Sequence, residues 1–126
     1  MSARIFIVDD NPVNLKLASN VLEMEGYAVE TAVDAEQAQE MLESITPDLI
    51  LMDIGLPGMD GLTLARKLKA DARLKRVPIV ALSAFAMKGD EQKAYAAGCD
   101  GYITKPIDTR KLPQQVAAFL RPSENK

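Results

Sequence analysis

The chain contains no histidine. That excludes a Ser–His relay, an imidazole metal site and an imidazole general base. There is one cysteine, Cys99, which cannot close a disulfide within the chain and implies no oxidising compartment. Its expected role is that of a small buried hydrophobe. Long hydrophobic runs are also missing. The opening segment MSARIFIVDDNP holds a short apolar stretch broken by two aspartates, which fits neither a signal peptide nor a membrane span, so the expected location is cytoplasmic. Neither sign of charge dominates: 15 basic and 18 acidic residues leave a net charge of −3. A general polyanion binder is thereby disfavoured, and nucleic acid is not an expected partner. Linkers, repeats and low-complexity segments are absent.

What is present fits one domain. A chain of 126 residues, 48% hydrophobic and 26% charged, is long enough to build a core. Short β-type runs alternate with helical stretches, the pattern of a parallel α/β sheet. Residues 4–8 (RIFIV) form a continuous apolar run ending in Asp9 and Asp10, as expected of a strand covered on both faces. Asn11 and Pro12 then read as N-cap and first residue of a helix whose inner stripe includes Leu15, Ala18, Val21 and Leu22, with Gly26 as its stop. A second strand is expected over 27–32. Asp34 and Gln37 mark the next helix start, and that helix runs to about Ile45. Residues 49–53 (LILMD) are a third strand that ends in a carboxylate, and the Gly- and Pro-rich 54–61 (IGLPGMDG) is a loop. Further helices are expected at about 62–71 and 88–97, with strands at 79–82, closing on Ser83, and at 101–104. Proline inside a helix costs about 3 kcal/mol, so Pro113 belongs near the first turn of a last helix that starts no earlier than about Thr109 and ends near Leu120. The order is (βα)₅, a doubly wound five-stranded parallel sheet with helices on both faces.

In such a sheet all strands end on one rim, where ligands bind. Asp9 and Asp10, Asp53, Ser83 and Lys105 follow four different strands onto that rim. Two carboxylates about 5 Å apart repel by roughly 3 kcal/mol at an effective dielectric near 20, so three of them call for a cation. Oxygen ligands without His or Cys select a hard ion, and Mg²⁺ suits a site that keeps several waters. Lys105 fits as a point charge for a phosphoryl oxygen. Strand-end aspartates taken singly also cap helices and fill turns. The whole set, in this order, is the functional signal.

At these residues the chain resembles the receiver domains of bacterial two-component response regulators, over nearly its whole length. The matching pieces are IFIVDDNPVNLKLA (5–18), PDLILMDIGLPGMDGL (47–62), VPIVALSAFAMKGDE (77–91) and GCDGYITKPID (98–108). AFAMKGDE and GCDGYITKPI look most like single-domain regulators of the DivK type and the receivers of hybrid sensor kinases. The resemblance implies a flavodoxin-like, CheY-like fold with strand order 2-1-3-4-5, a receiver domain over 1–121 and a polar tail over 122–126. It implies that Asp53 accepts a phosphoryl group from a phosphohistidine. Mg²⁺ would be held by Asp10, Asp53 and the main-chain carbonyl of Gly55, with Asp9 acting through water. Ser83 and Lys105 would contact the phosphoryl oxygens, and Pro106 would follow a cis peptide bond that aims Lys105. Tyr102 would turn inward when Ser83 moves, shifting the surface of the fourth helix, fifth strand and fifth helix. A chain without histidine can stand only on the receiving side of such a transfer.

The implied partners are a sensor histidine kinase or histidine phosphotransferase and a downstream protein, the chain being a monomer or weak dimer with no membrane contact and no output enzyme. A stand-alone regulator is the first reading, and a receiver excised from a hybrid kinase the second. An Mg²⁺-dependent phosphohydrolase with an aspartyl-phosphate intermediate would need a carboxylate two residues after the nucleophile, where this chain has Gly55. A flavodoxin-type cofactor carrier would need a Ser/Thr/Gly-rich phosphate loop where the first strand ends in Asp9 and Asp10. Neither Gly55 nor Phe85, two residues after Ser83, can orient an attacking water, so self-dephosphorylation should be slow. Arg66, Lys67, Lys69, Arg73, Lys75 and Arg76 read as a solvated basic face.

Overall fold

The apolar runs become strands β1 (Arg4–Val8), β2 (Ala28–Ala32), β3 (Leu49–Asp53), β4 (Ile79–Ser83) and β5 (Gly101–Thr104). Between them lie helices α1 (Pro12–Met24), α2 (Ala35–Leu42), α3 (Gly61–Ala70) and α4 (Asp90–Ala96), with α5 (Leu112–Leu120) last. The computed structural model describes residues 3–56, 61–83, 89–105 and 107–120. All strand pairs are parallel, in the order β2-β1-β3-β4-β5. β3 and β4 are buried at every position, which is why they read as unbroken apolar runs rather than alternating ones.

The order reverses once, between β1 and β3, and this sorts the helices onto two faces. Leu15, Ala18 and Leu22 of α1 pack with Leu112 and Val116 of α5 against Ile5, Ile7, Leu51 and Leu82. Ala38, Leu64, Leu68 and Ala94 from α2, α3 and α4 cover Phe6, Ile50, Met52 and Ala81 on the other side. Cys99 is buried there, and burial, with a smaller push from Asp100, lifts its thiol to about 11. It is a packed hydrophobe, as expected.

Several boundaries moved for identifiable reasons. α2 stops at Leu42 instead of about Ile45, because the guanidinium of Arg73 takes up the carbonyls of Leu42 and Ile45. α4 begins at Asp90, since Gly89 holds φ at +99° and a left-handed residue cannot extend a helix. Before α5, Asp108 ties down the turn: its side chain accepts from the Arg110 amide at 2.9 Å, and its carbonyl accepts from Leu112 at 2.9 Å. Pro113 therefore falls in the first turn, where its missing N–H is harmless.

Two members of the basic cluster are not simply solvated. Besides Arg73, the Lys69 ammonium donates to the Val77 carbonyl at 2.9 Å and to Asp100 at 2.8 Å.

Gly61 opens α3 pressed against the backbone at the end of β3. A Cβ there would lie 2.3 Å from the Asp53 carbonyl oxygen and 2.7 Å from Ile54 Cα. Both neighbours are backbone and cannot swing aside. Gly61→Ala is expected to cost about 2 kcal/mol or more by overpacking, read as a lower urea midpoint with an unchanged slope.

Candidate functional site

Register builds the site. Val8 of β1 sits opposite Met52 of β3, so the next residue on each strand, Asp9 and Asp53, emerge side by side at the sheet's C-terminal edge. This is also the point where strand order reverses, the usual crevice of a doubly wound sheet. One carboxylate oxygen each from Asp9, Asp10 and Asp53 lie within 4.8 Å of one another. Asp9 and Asp53 are buried, and Asp10 is exposed.

Each buried carboxylate is oriented by a backbone amide. Asp9 Oδ1 accepts from the Asn11 amide at 2.9 Å, and Asp53 Oδ1 from the Gly55 amide at 2.9 Å. Their other oxygens turn to Lys105, whose Nζ stands 2.9 Å from Asp9 Oδ2 and 3.1 Å from Asp53 Oδ2. The ammonium donates an aligned hydrogen bond to Asp53. Toward Asp9 it makes a close ion pair without hydrogen-bond alignment, so among the described residues Asp9 Oδ2 accepts no hydrogen bond. Lys105 is held in place by the sheet itself: its amide donates to the Ser83 carbonyl at 2.7 Å, extending the β4–β5 ladder by one rung.

The charges do not balance. Among the described residues three carboxylates face one ammonium, and at 4.8 Å a like-charge pair costs about 3 kcal/mol at an effective dielectric of 20. Burial pushes the Asp9 carboxyl up, and the charge of Asp53 adds to it; Lys105 and the Asn11 amide oppose the rise without cancelling it. For Lys105, burial acts against the charged form, yet contact with Asp9 and Asp53 outweighs it and holds the ammonium above its ordinary value. An acid cluster of oxygen donors, one of them buried without a hydrogen bond, fits a hard divalent cation.

The other predicted residues fall nearby or outside the described set. Ser83 ends β4, buried, one residue beyond the Asp53–Leu82 register pair. Tyr102 on β5 is half-buried against the core face covered by α2, α3 and α4. Gly55 has room for a side chain, since a Cβ would meet Asp53 Oδ1 at 3.5 Å, an ordinary contact. Pro106, with the cis peptide expected before it, and Phe85 lie outside the described residues.

Two features were not assigned to the site by the sequence. The grip of Asn11 on Asp9 is one, although the polar pair Asp9 and Asn11 two apart is a turn signature that points to it. The close approach of Gly61 to Asp53 is the other, and it depends on a backbone path that no local pattern encodes. Among the described residues no helix is long and apolar enough to cross a membrane.

Comparisons with known proteins identify the family to which this fold belongs. Residues 5–117 match the family model described as the response regulator receiver domain. The polar-differentiation response regulator DivK of Brucella ovis is 38% identical over 120 residues, covering 95% of this chain and 98% of that protein. A CheY-like response regulator receiver domain protein from Methanospirillum hungatei superposes with a TM-score of 0.90 at 31% identity, covering 99% of this chain and 98% of the other. The signal receiver domain of a histidine kinase from Syntrophus aciditrophicus gives 0.90 at 30% identity, covering 99% and 95%. On this match in sequence, fold and strand order, the chain belongs to the response regulator receiver domain family.

Proposed function

We propose that Asp53 is the phospho-acceptor of a two-component phosphorelay and takes its phosphoryl group from a phosphohistidine on a sensor histidine kinase or histidine phosphotransferase. One observation carries this reading: Asp9, Asp10 and Asp53 cluster at the edge of the sheet, with the Lys105 ammonium set against Asp9 and Asp53. Residues 1–121 act as the receiver unit, 122–126 as its tail. Asp10 and Asp53, with the Gly55 carbonyl, hold Mg²⁺, and Asp9 supports it through water. When bound, the cation neutralises charge on the transferring oxygens.

The chain's own residues do the rest. An oxygen of Asp53 attacks phosphorus in line while the bond to the imidazole nitrogen breaks, and that nitrogen keeps the electron pair. Lys105 swings from the carboxylate to a phosphoryl oxygen, exchanging one anion for another. Ser83 donates its hydroxyl to a second oxygen, and the side-chain movement opens space toward Tyr102. The surface of α4, β5 and α5 then favours an arrangement that a downstream protein reads. The module signals from the cytoplasm as a monomer or weak dimer. A stand-alone regulator is the primary reading. The likeness to a receiver taken from a histidine kinase supports a second, in which the same chemistry serves a hybrid kinase.

The test is incubation with phosphoramidate, with and without Mg²⁺, followed by intact mass. A single added phosphoryl group is expected, dependent on Mg²⁺ and lost in Asp53→Asn. Labelling without the metal would refute the reading. Because Gly55 offers no side chain to orient water, the phosphoryl group should persist for far longer than seconds in purified protein. Gly55→Asn, whose Cβ meets among the described residues only Asp53 Oδ1 at an ordinary 3.5 Å, should shorten its lifetime several-fold in a decay assay; an unchanged lifetime would place the protection elsewhere.

A further inference from the structure

The turn that carries the two adjacent aspartates is built from two successive hooks. Asp9 Oδ1 accepts from the amide of Asn11 at 2.9 Å, closing a side-chain turn with Asp10 at its centre. Asn11 Oδ1 in turn accepts from the amides of Val13 at 2.9 Å and Asn14 at 3.3 Å, capping α1. Pro12, with no amide of its own to satisfy, sits between them as the first helical residue. Asn11 is thus donor to one hook and acceptor in the next.

We propose that Asn11 is a positioning residue for the cation site: it fixes the directions of Asp9 and Asp10 by joining the Asp9 turn to the cap of α1. The inference rests on the metal reading of the acid cluster given above. With Oδ1 held by Asn11, Asp9 has one oxygen left, Oδ2, and that oxygen faces the interior beside Lys105. Asp10 is the middle residue of the closed turn, so its backbone follows whatever fixes Asn11. Releasing the cap lets the first turn of α1 fray and the Asn11 amide rotate, and both carboxylates lose their fixed aim.

The test compares four proteins by calorimetric titration with Mg²⁺ and by electron paramagnetic resonance with Mn²⁺: the native chain, Asn11→Ala, Asn11→Ser and Val116→Ala. Val116 is buried on α5 and carries no charge, so its variant reports general destabilisation. Asn11→Ala is expected to bind Mg²⁺ about tenfold more weakly, the low end of the cost of removing a partner that orients a metal ligand. Asn11→Ser, which can cap the helix without adding charge, should recover most of that affinity, and Val116→Ala should bind as the native chain does. Equal affinity in Asn11→Ala and the native chain would overturn the positioning role, and so would an equal loss in Val116→Ala. Absence of Mg²⁺ binding by the native chain would instead overturn the metal reading on which the inference stands.

Discussion

Lys105→Ala should remove about 3 kcal/mol of stability in metal-free buffer at pH 7.5, the scale expected when one partner of a buried ion pair is deleted. The ammonium is mostly buried, and it contacts Asp9 at 2.9 Å and Asp53 at 3.1 Å. Its loss leaves two buried carboxylates facing each other with their amide donors alone. Saturating Mg²⁺ should restore much of the deficit, because a divalent cation can replace the missing charge. The pH dependence follows from Asp9, whose folded-state pKa lies above its unfolded value because of burial and then Asp53. A carboxyl raised in this way contributes stability that is present below the unfolded pKa and is lost as pH rises through the folded one. Without Lys105 the rise is larger, so the gap between variant and native protein should be widest near pH 7.5 and narrow toward pH 5. Urea melts at the two pH values decide it. A deficit that is constant or grows in acid would mean that Lys105 stabilises by packing and not by charge.

The second large effect is stabilisation by the metal. A ligand present at a hundredfold its Kd adds about 2.7 kcal/mol. For a chain of this size each kcal/mol moves the melting point by about 4 °C, so Mg²⁺ should raise Tm by about 10 °C. Asp10→Asn should abolish that shift. Asp10 is exposed and shares the cluster with Asp9 and Asp53, so its neutralisation also relieves repulsion, and the metal-free variant should be up to about 1 kcal/mol more stable than the native protein. Opposite signs with and without the metal distinguish a metal ligand from a residue that merely supports the fold. A Tm indifferent to Mg²⁺ in the native chain, or a full shift in Asp10→Asn, would contradict the assignment.

Much of this was legible in the residues themselves. β1, β3 and β5 fell on the predicted ranges, and β4 gained only Ser83, because buried parallel strands are short apolar runs closed by polar residues. Asn11 and Asp34 marked helix starts through side chains that cap locally, and the structure shows both caps, with Pro12 as the first residue of α1. Parallel direction alone then put the strand ends on one rim, which brought Asp9, Asp10, Asp53 and Lys105 together. What escaped was non-local. The early end of α2 depends on Arg73, reaching in from the segment after α3. The pinning of Lys69 to Asp100 spans 31 positions. The contact of Gly61 with the Asp53 backbone appears only once α3 is docked. Local propensity is silent on each of these, because the partner is distant in sequence.

The most direct measurement is to locate the modified residue. After treatment with phosphoramidate and Mg²⁺, borohydride should cleave an acyl phosphate reductively and leave homoserine in place of the aspartate, which peptide mass spectrometry can assign. Homoserine at position 53, dependent on Mg²⁺, is the predicted result. Homoserine at position 9 or 10, or a phosphoryl group that resists borohydride, would contradict it.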